Sequence, residues 1–287
     1  MPELPEVEAA RSFLADRLTG RVIAGVQLVD FAALKTYAPG LDALIGLEVD
    51  GVARHGKFID VSAQGVHLIF HLARAGWLRW SDALPTTPAR PGKGPLSLRV
   101  ALDDGAGFEI TEAGTQRKVA VYVVTEPEDV PGIVALGPEP LDDAFTIDAL
   151  QAIVKATGKG QLKGMLRDQK VIAGIGNAYS DEILHAARLS PFKGADTLTP
   201  NELATLFDAI KTTLGTAVER AVGLDVAALK DDKRANFRVH ARTGQACDVC
   251  GTTIAEVSFA DSSLQYCPGC QTGGRTLADR RMSKLLK

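Results

Sequence analysis

The chain has 287 residues, of which 46% are hydrophobic and 23% charged, with a formal net charge of −3 and a pI near 6.0. That length suits two modest domains, each with its own core, and the composition excludes a disordered or collagen-like chain. No apolar run approaches the roughly 18 residues of a membrane span, and the opening Met1-Pro2-Glu3-Leu4-Pro5-Glu6 lacks the basic and apolar regions of a signal peptide, so the expectation is a cytoplasmic protein without a membrane partner.

The net charge alone does not point to a nucleic acid. Its distribution is uneven, however: residues 233–287 hold nine Lys/Arg against four Asp/Glu, so this segment carries +5 and the remainder −8. Local fields, rather than the total, steer a polyanion.

Taken in chain order, residues 5–18 predict a helix. Pro5 suits a first turn, Val7, Ala10, Leu14 and Leu18 recur at helical spacing, and Gly20 closes the element. From Arg21 to about Val124 the pattern is β. Lys57–Val61 alternates, Val66–Leu72 and Leu96–Leu102 are apolar-rich, Lys118–Val124 is rich in β-branched residues, and Asp50-Gly51 and Asp104-Gly105 read as turns. A β-sandwich or flattened barrel is the economical arrangement. Four prolines and two glycines between Glu126 and Asp143 mark a linker. The chain then turns helical. Its clearest start is Thr199-Pro200-Asn201-Glu202, a capping threonine, a first-turn proline and a glutamate placed for a capping box, opening a helix to about Val222. A looser stretch, 223–235, leads to four cysteines. The implied domains are 1–125, a linker 126–143, 144–235, and 236–287.

The cysteines form Cys247-x2-Cys250 and Cys267-x2-Cys270, sixteen residues apart. In a reducing compartment this spacing favours one tetrahedral zinc ion over two disulfides, and four thiolates leave no open position, so the ion is structural.

Pro2 is the unusual residue at the start. Once Met1 is removed it becomes a secondary amine, and an α-amino group with a pKa of about 7.7–8.0 is partly neutral at physiological pH and able to attack an aldehyde carbon. Glu3 stands beside it as a proton donor. Taken by themselves, Pro2 and Pro5 also fit a plain helix entry. Lys57 alone reads as an ordinary surface lysine, and Gly174-x-Gly176 as a tight turn or as a place where backbone amides and the positive end of a helix meet a phosphate.

The octet Met-Pro-Glu-Leu-Pro-Glu-Val-Glu closely resembles the opening of the formamidopyrimidine-DNA glycosylase and endonuclease VIII superfamily. Further resemblances follow in that family's order: His55-Gly56-Lys57 before a β segment, Gly137-Pro138-Glu139-Pro140-Leu141 as the linker, Asp168-Gln169-Lys170 with Gly174-Ile175-Gly176-Asn177-Ala178-Tyr179 as the helix–two-turn–helix signature, and the four-cysteine finger. The resemblance covers nearly the whole chain. It implies an α+β protein of two domains, an N-terminal β-sandwich with a flanking helix and a C-terminal helix–two-turn–helix domain with a zinc finger. It also implies a bifunctional DNA glycosylase and abasic-site lyase, acting as a monomer on double-stranded DNA that holds a damaged base or abasic site. Pro2 would be the nucleophile, Glu3 the acid, and Lys57 a proton donor to the sugar or an aid to phosphate elimination. Lys163, Gly174, Gly176 and Asn177 would contact the DNA backbone, and Cys247, Cys250, Cys267 and Cys270 would hold the zinc.

Two positions depart from the family pattern. The family's finger arginine, five residues before the third cysteine, is Ser262 here, and the family's methionine wedge in a His-Leu-Gly-Met-Ser-Gly string is Arg74 in His71-Leu72-Ala73-Arg74-Ala75-Gly76. Arg117 stands in the region of the family's second wedge, so Arg74 and Arg117 are expected to contact the DNA, and Arg275, Arg280 and Arg281 follow the finger. The substrate therefore stays open between oxidised bases and bulky, alkylated or crosslinked ones. A damage-binding protein with weak or no glycosylase activity is the rival from another class.

Overall fold

A computed structural model describes residues 1–278 except 91, 93, 114, 115, 260 and 261. Arg280 and Arg281, together with Ala260 and Asp261 of the finger turn, lie outside the described residues. The chain divides into two compact units. Met1–Leu136 and Val218–Asp231 form one; Gly137–Ala217 and the chain from Asp232 onward form the other.

The first unit opens on α1 (Leu4–Leu18). Pro5 sits where a missing N–H costs nothing, and the Glu3 N–H donates to the Glu6 carboxylate at 2.8 Å as half of a capping box. Leu4, Val7, Leu14 and Leu18 are each almost fully buried, so the helix presents one apolar stripe to the core. Eight strands follow in two antiparallel sheets. One runs β1 (Ile23–Leu28), β6 (Leu96–Leu102), β7 (Gly107–Glu112), β5 (Gly76–Ser81); the other runs β2 (Val49–His55), β3 (Phe58–Ala63), β4 (Val66–His71), β8 (Ala120–Val124). Their inner faces share one core, in which the rings of Phe70 and Phe108 meet at 5.8 Å. The result is a β-sandwich with a flanking helix.

Asp104-Gly105 turns the chain between β6 and β7, with Gly105 at φ +86°. Asp50-Gly51 does not turn it. Both residues lie inside β2, where the register against β3 shifts between Val49 and Gly51. A glycine inside a strand marks such a bulge as readily as a turn, and local sequence does not separate the two. Much of the proline-rich stretch after Glu126 is also ordered against the first unit: α2 (Pro131–Val134) follows Val130, and Val130 and Ile133 pack with Phe58, Ile69 and Tyr122.

In the second unit α3 (Ile147–Thr157) is capped by Thr146, whose hydroxyl accepts from the Ala149 N–H. There follow α4 (Leu162–Arg167), α5 (Asn177–Ala186) and α6 (Pro200–Ala221), whose final turn belongs to the first unit. Thr199 and Glu202 close the expected capping box at 2.9 and 3.3 Å. The stretch expected to be loose contains α7 (Leu229–Ala235), and Val226 and Leu229 before and within it enter the first unit's core. Seven residues are too few for helical periodicity to show. The finger is a hairpin of β9 (Ala255–Ser258) and β10 (Ser263–Tyr266), followed by α8 (Pro268–Gln271). No helix among the described residues is long and apolar enough to cross a membrane.

Candidate functional site

In the first unit, Pro2 and Glu3 are buried just ahead of α1, and Met1 is 42% exposed. Lys57 belongs to the two-residue loop joining β2 to β3, where His55 pairs with Phe58. Gly56 takes φ +56°, as the first central position of a type II′ hairpin requires. A lysine in so tight a loop is ordinarily solvated, yet Lys57 is only 6% exposed. Arg54 links this loop to α1: its Nε donates to Glu8 Oε2 and its Nη1 to the Gly56 carbonyl, each at 2.8 Å. Burial works against the Glu8 carboxylate, but the Arg54 and Arg11 guanidinium groups prevail and hold its pKa below the ordinary value.

The Lys57 charge also reaches His71 at the end of β4. Burial, reinforced by Lys57, lowers the His71 pKa to about 4. His71 Nδ1 accepts from the Ala73 N–H at 3.1 Å, so the ring is neutral with its proton on Nε2. The loop that follows is tightly closed. Gly76 donates to Leu72 O at 2.8 Å, and a Cβ at Gly76 would lie 2.2 Å from that oxygen. Ala73 takes φ +50°, and Arg74 is exposed at the tip. Arg117 is exposed, with Nη2 on Gly94 O at 2.5 Å and Nη1 3.6 Å from Asp30.

In the second unit, α4, the turn and α5 carry the glycine-rich segment. Gly174 has φ +81°, Gly176 is the N-cap of α5, and Asn177 is its first residue. The Gly174 N–H is already taken by Gln169 Oε1 at 3.0 Å. Asn177 Nδ2 donates to the Ser263 carbonyl at 2.8 Å, and its Oδ1 is buried with no hydrogen-bond partner among the described residues. Lys163 does not face solvent. It is 5% exposed, and its ammonium donates to Asn177 O (3.1 Å), Ser180 Oγ (2.8 Å) and Asp181 Oδ1 (2.6 Å). Asp181 also accepts from His240 Nδ1 at 2.8 Å and from the Gln265 N–H at 3.3 Å. Glu182 accepts the backbone N–H groups of Arg238, Val239 and His240. Two adjacent carboxylates of α5 thus bind the chain entering the finger and strand β10 within it.

The cysteines converge. Cys247 and Cys267 are buried, Cys270 half-buried and Cys250 exposed. Cys247 Sγ lies 3.9 Å from Cys270 Sγ, and Cys250 Sγ 3.3 Å from Cys267 Sγ. Ligands at about 2.3 Å around a tetrahedral zinc are separated by ~3.8 Å. The knuckle has no room to spare: a Cβ at Gly269 would stand 3.0 Å from Cys250 Sγ and 2.4 Å from Thr252 Oγ1. Hydrogen bonds from Thr252 draw the Cys250 thiol down to about 6, whereas burial and the neighbouring thiols push Cys270 up. Such crowding suits a cation that ionises all four together. His185, from α5, belongs to the same cluster.

Residues 1–118 match the formamidopyrimidine-DNA glycosylase N-terminal domain, residues 136–227 the formamidopyrimidine-DNA glycosylase H2TH domain, and residues 244–273 the zinc finger found in FPG and IleRS. The formamidopyrimidine-DNA glycosylase of Herpetosiphon aurantiacus is 33% identical over 283 residues, covering 94% of this chain and 100% of that protein. The chain belongs to the formamidopyrimidine-DNA glycosylase family. An uncharacterized formamidopyrimidine-DNA glycosylase-like protein of Mycobacterium tuberculosis is 57% identical over 153 residues, 53% of this chain and 95% of that protein. Among solved structures, the Thermus thermophilus protein has a TM-score of 0.79 at 29% identity, covering 96% of this chain and 100% of that one. The Lactococcus lactis glycosylase, bound to DNA containing an abasic site, shares the fold with a TM-score of 0.80 at 24% identity, covering 94% and 99%.

As a member of this glycosylase family, the chain is a DNA glycosylase of base excision repair, its partner is DNA, and its finger holds one structural zinc ion. Several residues that hold the candidate side chains in place, in one unit or the other, escape sequence reasoning. Arg54, Glu8, Asp181, Glu182 and His185 act through partners distant in the chain, and no local motif marks them. His71 opens the string that carries Arg74, and its burial next to Lys57 has no local signature.

Proposed function

We propose that the chain excises a damaged base through a Schiff base on Pro2 and then nicks the strand. With Met1 removed, the neutral Pro2 nitrogen attacks C1′ of the lesion nucleotide as the glycosidic bond breaks, and the departing base takes a proton. The adduct loses the amine proton, and the C1′–O4′ bond opens as O4′ takes a proton from Lys57, leaving an iminium that acidifies C2′. Loss of that proton expels the 3′ phosphate, and hydrolysis frees the enzyme. Glu3 is the acid and shuttle beside C1′, and Lys57 is the cation and proton donor at the sugar and phosphate. The observation that carries this reading is the Glu8–Arg54–Gly56 bridge, which ties the helix behind Pro2 and Glu3 to the loop of Lys57.

The partner in this reading is double-stranded DNA with a damaged base or an abasic site, bound by a monomer in the cytoplasm at the nucleoid. The nucleotide is flipped out of the stack, and exposed Arg74 fills the gap. The amide end of α5, with Gly174, Gly176 and Asn177, receives a phosphate, Lys163 supports that helix end from within, and Arg117 in the first unit is a further DNA contact. Cys247, Cys250, Cys267 and Cys270 are the four zinc ligands and take no part in the chemistry.

Borohydride trapping on abasic-site DNA tests the chemistry. A covalent adduct that disappears in Pro2→Gly supports it; tight binding with no adduct supports a damage-binding protein instead. A second enzymatic reading, with bulky, alkylated or crosslinked bases as substrates, is favoured by Arg74 at the wedge and Ser262 in the finger. Abasic cleavage without activity on common oxidised bases selects it.

A further inference from the structure

We propose that His185 is a positioning residue of the metal site: its Nε2–H donates to the zinc-bound thiolate of Cys247 and fastens the finger to the helix that begins at Asn177. This rests on the reading of the four cysteines as the zinc ligands. His185 is 3% exposed, its Nε2 lies 3.4 Å from Cys247 Sγ, and the donor atoms of His185, Cys247, Cys267 and Cys270 all fall within 4.8 Å of one another. With Cys250 this makes five donors for four tetrahedral positions, so one of them serves the ion indirectly.

The second ring nitrogen decides which. A histidine that binds zinc carries its proton on the other nitrogen and normally gives it to an acceptor. His185 Nδ1 is buried and has no partner among the described residues. Ligation through Nε2 would therefore bury an unpaired N–H donor. A proton on Nε2 instead points at the sulfur and leaves Nδ1 as a bare acceptor. Four thiolates around a dication carry a surplus of negative charge, and N–H donors to sulfur relieve it, as the Cys270 N–H does for Cys267 Sγ at 3.5 Å.

The consequence is mechanical. The N-terminus of α5 carries Asn177 and its last turn carries His185, about 12 Å away along one rigid rod. Between them Asp181 and Glu182 hold the chain entering the finger. Metal loading therefore fixes the helix end that faces the DNA backbone.

The test uses the full zinc-loaded protein and its cadmium-113 form. Nitrogen–proton correlation should show the His185 proton on Nε2, and the cadmium signal should couple to four cysteines and to no imidazole. Chelator-driven zinc release should be about tenfold faster in His185→Phe, with His185→Gln, which keeps a donor, closer to the parent. Release at the parent rate in His185→Phe, or a proton on Nδ1, overturns the proposal while leaving the four-cysteine site intact. Cadmium coupling to the imidazole, or full zinc retention by Cys250→Ser, overturns both. Should His185→Phe fail to fold, the proton position in the parent protein decides.

Discussion

Arg54 and Glu8 join β2 to α1: Arg54 Nε lies 2.8 Å from Glu8 Oε2, and the same guanidinium reaches the Gly56 carbonyl at 2.8 Å. The pair is shielded, with side-chain exposures of 12% and 22%, so its charge-assisted bonds are weakly screened by salt. Lys57 is the next residue after Gly56, and its position therefore depends on a fork that only arginine supplies.

Arg54→Lys is accordingly expected to keep the charge and lose the second bond. Single-turnover cleavage of abasic DNA should fall by roughly tenfold, since small misplacements of a reacting group cost rates of this order or more. Arg54→Ala should fall further and lower stability by ~1–3 kcal/mol. Trapping yield and thermal melting measured on the same preparations separate the two effects.

His71 supplies a pH dependence. Its folded pKa of about 4 lies below the unfolded value of 6.5, so between these limits the unfolded chain binds more protons than the folded one. Stability therefore rises with pH across that window, and its contribution is lost as the pH falls from 6.5 toward 4. His71→Gln should flatten this part of the melting temperature profile. An unchanged acid limb would assign the dependence to other groups.

Lys163 is expected to act on stability rather than on DNA charge. Removing it in Lys163→Met leaves the buried Asp181 carboxylate without its ammonium, a loss of ~3–5 kcal/mol. The salt dependence of DNA affinity in the folded fraction should keep its slope, because no phosphate contact is lost. A slope reduced by about one would instead place Lys163 on a phosphate.

Zinc removal should be local. Chelation is expected to raise hydrogen exchange through β9, β10 and residues 238–240 and at α5, whose Asp181 and Glu182 bond to that region. Exchange in the sandwich strands should stay unchanged. Uniform acceleration in both units would contradict a structural role confined to the finger.

The contrast between Lys57 and Lys163 shows how far sequence reaches. Both stand in family motifs, and their chemical type is plain from the string. What surrounds each depends on residues outside its motif: the Glu8 carboxylate that anchors Arg54 beside the Lys57 loop in one case, the Asp181 carboxylate that takes the Lys163 ammonium in the other. Asp50-Gly51 makes the same point for the backbone, since only pairing with β3 tells a bulge from a turn.

By itself the sequence determined what is local or periodic: α1 from its apolar spacing, the capping box at Thr199, the paired cysteines, and the Pro2-Glu3 opening. Backbone preference, hydrogen-bond capping and ligand spacing act over a few residues, so a short string suffices to specify them. Tertiary structure alone decided the Arg54 fork, the inward turn of Lys163, the return of 218–231 to the first unit, and the seat of His185 against Cys247. Those are contacts between segments far apart in the chain, set by burial and by the satisfaction of buried charge, and no local pattern encodes them.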